Sequence, residues 1–313
     1  MKTAVRWRPV TAVAGVIAVL SGCGGSNGLP TASGVAAPLA TRGDLLYVAN
    51  KRASDGVSVL TFPQGKLVAR ITQIGRVRGI CSDTSGNVWM TTFRKGNGPF
   101  NIYKFRHGGT NPVEVRTTRR YDYACAVDPT TGNLAAVSYG GSEDGVVDIW
   151  PGGRKGRPNV YFVAIPPSGC AYDDNGDLFV DGVGSDGVAL GEFVKGEKYF
   201  KDLIIGRNSG WAVGGVQWDG TYVTLGTATI SGSASLYRIQ VSGERGKIAS
   251  MVHLQQLSGW PQFAIVNGEI VATQRGAVVR TIGLYEYPGG GKALDVFSGF
   301  DDPVGMTISV APK

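Results

Sequence analysis

An all-β chain closed into a ring of six four-stranded sheets, a six-bladed β-propeller, is the fold class this sequence predicts. Three observations carry it. A strand–turn–strand unit returns five times at a nearly constant interval. No amphipathic helical pattern of 10 or more residues follows residue 40. The two ends of the chain supply complementary parts of one further sheet.

The unit is plainest where Gly169-Cys170-Ala171-Tyr172-Asp173 leads through Asn175-Gly176-Asp177 into Leu178-Phe179-Val180. Two apolar strands flank a polar Asn-Gly turn, and both turn residues tolerate the positive φ a tight hairpin needs. Gly79-Ile80-Cys81-Ser82-Asp83 leads in the same way into Val88-Trp89-Met90, and Ala124-Cys125-Ala126-Val127-Asp128 into Leu134-Ala135-Ala136-Val137. Looser copies run from Gly215 to Val223 and from Phe263 to Val271. Anchored at the position of Asn87, the copies fall at 87, 133, 177, 221 and 269, spacings of 46, 44, 44 and 48 residues. A period in the forties built only of strands is the signature of a propeller blade.

The chain opens on a targeting segment. Lys2, Arg6 and Arg8 precede an apolar run of 11 residues from Val10 to Leu20. That run is too short to span a bilayer and suits a signal-peptide core. Leu20-Ser21-Gly22-Cys23 follows and closely resembles the bacterial lipobox. The resemblance implies that residues 1–22 are removed, that Cys23 is lipidated, and that the protein is exported and held on the cell-envelope membrane through that lipid. In a Gram-negative cell this means the outer membrane or the cell surface. Residues 24–43 are mostly Gly, Ser, Ala, Pro and Thr with Arg42 the one charge, a composition that reads as a flexible tether. The propeller then occupies residues 44–313.

Its strands follow in order. Leu45 to Asn50, Val57 to Phe62 and Leu67 to Ile71 read as second, third and fourth strands with no first strand before them. Residues 303–310 read as a first strand with no second after it. Joining the two closes the ring and removes an open edge. Inside the ring, Asn101 to Phe105 and Val113 to Arg116 complete one copy, and Val146 to Trp150 and Val160 to Val163 the next. The recurrent Asp83, Asp128, Asp173 and Asp219 fall at the inner hairpin turns, where an Asp caps nearby backbone N–H groups. They are read as turn caps and not as a ring of metal ligands.

Composition narrows the function. The formal charge is +7, and loss of Lys2, Arg6 and Arg8 would leave +4. The cations are dispersed, which argues against a nucleic-acid partner. Arg116, Arg119 and Arg120 form the densest group and read as a solvated loop. Cys125 and Cys170 hold the same repeat position in neighbouring copies and read as small buried hydrophobes, with a bridge between them the other option. Cys81 is one residue out of phase and should face the opposite way. Neither His107 nor His253 has a Ser or Cys nucleophile beside it in the repeat map, so no triad is expected. Loops leading into the innermost strands surround the axis, and there we place a ligand-binding mouth: Arg78, Tyr121, Asp122, Tyr123, Asn208, Trp211, Trp260, Gln262 and Asp302.

The copies at Gly79 to Met90, Ala124 to Val137 and Gly169 to Val180 resemble the NHL-type repeat, whose inner hairpin runs Gly, apolar, Ala, apolar, Asp, turn, Gly-Asn, apolar strand. The resemblance implies a scaffold for protein or ligand binding, as in exported bacterial proteins with propeller repeats. It leads to a non-catalytic binding module for a small molecule, glycan, peptide or envelope protein, with no catalytic residue and no cofactor. The alternative is a calcium-dependent lactonase of the gluconolactonase-like class, which holds its cation with Glu, Asn and Asp from different blades. Asp122, Asn208, Asp301 and Asp302 are available, but no Glu leads into an inner strand.

Overall fold

The computed structural model describes residues 43–52, 56–93, 100–139, 145–185, 187–205, 212–228, 233–258, 262–275 and 280–312. Cys23, Asn208, Trp211 and Trp260 lie outside the described residues. The described chain is strand and turn, apart from a 3-10 turn at Pro151–Gly153. Strands β1 (Leu45–Asn50), β2 (Val57–Thr61) and β3 (Leu67–Ile71) open the fold. A second sheet holds β4 (Arg76–Ser82), β5 (Val88–Phe93), β6 (Phe100–Phe105) and β7 (Glu114–Thr118). A third holds β8 (Asp122–Val127), β9 (Leu134–Tyr139), β10 (Gly145–Trp150) and β11 (Asn159–Val163). A fourth holds β12 (Pro167–Tyr172), β13 (Leu178–Gly184), β14 (Gly187–Phe193) and β15 (Lys201–Leu203). Two more antiparallel runs follow: β16 (Ala212–Trp218), β17 (Val223–Ala228), β18 (Ser233–Ser242) and β19 (Arg245–Ser258), then β20 (Phe263–Val266), β21 (Glu269–Arg275), β22 (Arg280–Glu286) and β23 (Gly290–Phe297).

The last strand, β24 (Pro303–Ser309), pairs antiparallel with β1, from Leu45 opposite Ser309 to Asn50 opposite Pro303. The first sheet therefore runs β24-β1-β2-β3, the interlock expected from the two chain ends. Ser82 Oγ donates to Ile308 O at 2.7 Å, Ser309 Oγ donates to Gly86 O, and Ala311 N donates to Asp44 Oδ1 at 2.9 Å. These bonds tie the closure to the second sheet and to the start of β1.

The expected six separate sheets are not matched. Hydrogen bonding gives four sheets of four strands and one of eight, ordered β16-β17-β18-β19-β23-β22-β21-β20. The two four-stranded runs merge through one parallel pair, Leu254 with Gly291. Gly290 allows that approach: a Cβ there would sit 2.5 Å from His253 O. The innermost strands of all the runs, β4, β8, β12, β16, β20 and β24, nevertheless touch in a closed cycle.

Each sheet is covered on both faces, which explains unbroken apolar second strands. In β1, Leu45, Tyr47 and Ala49 pack with Val88, Met90 and Phe105 of the second sheet, while Leu46 and Val48 pack with Val271, Ile282 and Leu284 on the other side. Period-2 alternation divides the strand between two interfaces, not between core and water. The turn caps also stand as expected. Asp83 Oδ1 accepts the Ser85 and Asn87 amides at 3.0 and 2.9 Å, Asp173 Oδ1 accepts those of Asn175 and Asp177, and Asp219 Oδ1, at a shorter turn, those of Thr221 and Tyr222.

The cysteines depart from the expectation. Cys81 and Cys125 form a disulfide with Cα atoms 5.7 Å apart, and Cys170 is free and buried. Equivalent positions in adjacent sheets point the same way round the ring, so Cys125 and Cys170 do not face each other. Residues one step out of phase point at each other across the gap between sheets, and Cys81 and Cys125 are such a pair. Cys170 looks instead at the third sheet, where Ala126 stands in the place Cys81 takes in the second. The 44-residue separation of the bridge corresponds to about 4 kcal/mol of loop-closure entropy.

Candidate functional site

The inner strands β4, β8, β12 and β16 share one irregularity near their start. Their pairing slips between Val77 and Ile80, between Asp122 and Ala124, between Pro167 and Gly169, and between Val213 and Val216. A bulge re-aims the extra residue, and here Arg78, Tyr123 and Ser168 are those residues. Just beyond the bulges the strands approach backbone to backbone. A Cβ on Gly79 would lie 2.7 Å from Ala124 Cα, and one on Gly169 would lie 3.0 Å from Gly215 Cα. Small residues at this repeat position let the strands converge round an axial cavity of about 320 Å³. Arg78, Tyr123, Tyr139, Ser168, Gln217 and Gln262 supply its polar lining, and Ile80, Val216, Phe263, Val304 and Met306 its apolar lining.

An aromatic ladder flanks one side of this cavity. Ring centroids step 5.0 Å from Phe93 to Tyr121, 4.6 Å from Tyr121 to Tyr123, and 4.7 Å from Tyr123 to Tyr139. Phe100 packs on Tyr121 at 5.5 Å. Arg78 Nε donates to Tyr121 Oη at 2.6 Å, with its guanidinium carbon 5.9 Å from that ring's centroid. Partial burial and the neighbouring Tyr121 and Tyr139 hold the Tyr123 phenol above the ordinary range, with Arg78 pulling the other way.

Of the residues expected at the mouth, Arg78, Tyr123 and Gln262 line the cavity, and Tyr121 braces Arg78. Asp122 does not open onto it: its side chain is buried beside Asp148 and Arg120. Asp302 pairs with Lys51 at 3.2 Å. Asp301 pairs with Arg52 at 3.0 Å and with Arg280 at 2.5 Å. Among the described acids of the calcium reading, Asp301 and Asp302 are thus in ion pairs and Asp122 is buried. Tyr139 was missed. It ends a second strand, where the repeat offers no signal that a bulge opposite will bring a ring from β8 against it.

Arg116 is not part of a solvated loop. It is buried, bonds Glu114, Gly153 O and Arg154 O, and lies 4.9 and 5.5 Å from the Trp89 and Trp150 rings. Arg120 holds both Asp148 oxygens, at 2.9 and 3.1 Å. Both histidines do meet a serine, His107 Nδ1 at 2.7 Å from Ser309 Oγ and His253 Nδ1 at 3.0 Å from Ser235 Oγ. Neither histidine lines the cavity.

A buried carboxylate lies directly behind the cavity wall. Asp181 is 0% exposed, and a Cβ on Gly169 would lie 2.8 Å from its Oδ1. Neither oxygen has a hydrogen bond of good geometry. Burial pushes its pKa up to about 7, against the pull of the Gly169 and Gly215 amides. Asp122 is pushed up to about 7 as well, by burial first and then by Asp148.

No protein-family model matches the chain, and no curated protein matches its sequence. Solved structures do. A functionally unknown protein from Desulfotomaculum acetoxidans DSM 771 superposes with a TM-score of 0.59 at 12% identity, over 86% of this chain and 99% of its own. Hydrazine synthase of Kuenenia stuttgartiensis gives 0.54 at 15% identity, over 75% of this chain and 70% of its own. TolB from Acinetobacter baumannii gives 0.55 at 11%, over 79% of this chain and 62% of its own. The fold is of the β-propeller type. At these identities the likeness concerns the fold alone, and function has to be argued from the cavity.

Proposed function

We propose that this chain is an exported, lipid-anchored, six-bladed propeller of NHL type that binds a small ligand at its axial mouth without transforming it. The six-bladed reading takes each four-stranded run of the merged sheet as one blade, joined to its neighbour by the single pair at Leu254. The aromatic ladder opening on a 320 Å³ cavity is the observation that carries the binding role. That volume is at the lower end of the roughly 300–1,000 Å³ of small-molecule sites. Among the described residues, Asp301 and Asp302 are in ion pairs and Asp122 is buried, and the residues on the wall offer contact surface and hydrogen bonds.

Two experiments test the proposal. A thermal-shift screen of small molecules is expected to give compounds that stabilise the native chain and fail to stabilise a folded Tyr123→Ala/Tyr139→Ala variant. Equal shifts in both proteins would place the ligand elsewhere. For the anchor, the native chain expressed in a bacterium is expected to partition into detergent and to carry labelled palmitate. Cys23→Ser should leave it in the aqueous phase without label, and retention of label would sink the lipobox assignment.

A further inference from the structure

Among the described residues of the cavity wall, one carries a charge: Arg78. Its position is fixed from behind. Nε is used by Tyr121 Oη at 2.6 Å, and Tyr121 is wedged between Phe93 at 5.0 Å and Phe100 at 5.5 Å. That bond leaves the two terminal nitrogens of the guanidinium, and no carboxylate of the described residues pairs with them. The acids that could have done so are engaged elsewhere: Asp302 with Lys51, Asp301 with Arg52 and Arg280. Asp122 is buried within its own sheet. A guanidinium held by Nε presents a planar pair of donors that matches the two oxygens of a carboxylate.

The aromatic and apolar part of the wall receives the body of the ligand, with Ser168, Gln217 and Gln262 as the remaining polar groups. Tyr123 and Tyr139 stand beside Arg78 as adjoining rings, and Ile80, Phe263 and Val304 continue the apolar surface. A single cation balances a single negative charge. A phosphate dianion would leave charge unmatched in a site with no second Lys or Arg among its described residues. We infer that the cavity takes a small monocarboxylate with an aromatic or apolar body, its acid group received by the terminal nitrogens of Arg78 and its body laid against Tyr123 and Tyr139.

The inference rests on the mouth being a ligand site, and the experiment separates the two. Benzoate, phenylacetate and 3-phenylpropionate, each beside its neutral amide, are titrated into the purified full chain in detergent at up to millimolar concentrations, with binding followed by ligand-observed NMR. At least one acid is expected to bind, and its amide to bind weaker by about tenfold or more, the ratio one charge-assisted hydrogen bond supplies. Arg78→Met should weaken the acid by about tenfold or more and the amide by less, so that the two converge, with an unchanged cooperative melt showing that the variant is folded. Arg78→Lys should recover only part of the difference, since an ammonium lacks the planar fork. Equal binding of acid and amide, or an acid indifferent to Arg78→Met, would overturn the carboxylate assignment and leave the mouth standing. Failure of all three acids overturns the assignment too. Probe binding that persists undiminished in Tyr139→Ala would overturn the mouth itself.

Discussion

Deleting residues 303–313 is expected to abolish folding of the propeller. The truncation removes β24, whose Met306 and Ile308 are buried against Leu46, Val48 and Phe62. It also strips the ladder partner from β1, every residue of which is buried. Losing the burial of Met306 and Ile308 and uncovering Leu46 and Val48, at about 1.5–3 kcal/mol each, costs roughly 6–12 kcal/mol, as much as the whole stability of a typical domain. The bare β1 edge would then invite pairing between chains. The truncated protein should be found in the insoluble fraction, or show no cooperative melt if soluble. A permutant separates sequence loss from topology: moving 303–312 ahead of residue 43 through a short linker restores the strand. Because Ala311 N already bonds Asp44 Oδ1 at 2.9 Å, the join spans little distance. It should fold and melt within a few degrees of the native chain. A truncated protein that melts as the native one does would refute the closure argument.

The closure was legible because both halves of it are written locally, as three strands without a first and one strand without a second. The Asp turn caps were legible for the same reason, since acceptor and donors lie within four residues of each other. What was not legible depends on the angle between neighbouring sheets. Repeat phase correctly separates Cys81 from Cys125, but only the packing of one sheet's front on the next sheet's back turns that difference into a bridge. The same holds for the site. Arg78 and Tyr123 were found because they sit at the inner-strand starts, whereas Tyr139 reaches the cavity only through the bulge at Tyr123. Asp122 was misplaced because the bulge turns it the other way, into the sheet. The merged sheet was hidden because it depends on one backbone contact at Gly290, which carries no side-chain signal. Asp181 did leave a trace, as a lone acid closing the apolar run Leu178-Phe179-Val180.

Asp181→Asn is expected to remove a large part of the pH dependence of stability. In the second sheet the corresponding residue is Thr91, whose Oγ1 accepts from Gly79 N at 2.8 Å and donates to Asp122 O at 2.9 Å. A hydroxyl meets one donor and one acceptor there. A protonated carboxyl has the same dual capacity, and an ionised one does not. Burial accordingly raises Asp181 from the ordinary 3.8 to about 7. Between about pH 4 and pH 7 the unfolded chain has released this proton while the folded chain keeps it, so stability falls as pH rises through that window and levels off above it. A displacement of about three units corresponds to at most about 4 kcal/mol. Asn keeps the shape and the dual hydrogen-bonding capacity without the charge. Its melting temperature should match the native protein at pH 4 and exceed it at pH 8 by up to about 8–16 °C, given roughly 2–4 °C per kcal/mol for a domain of this size. Asp122, raised in the same direction, leaves a shallower slope in the variant. Melting curves of the two proteins across pH 4 to 8 decide the matter: parallel curves, or an Asn variant less stable at pH 8, would mean that Asp181 is ionised in the fold and held by the amides of Gly169 and Gly215.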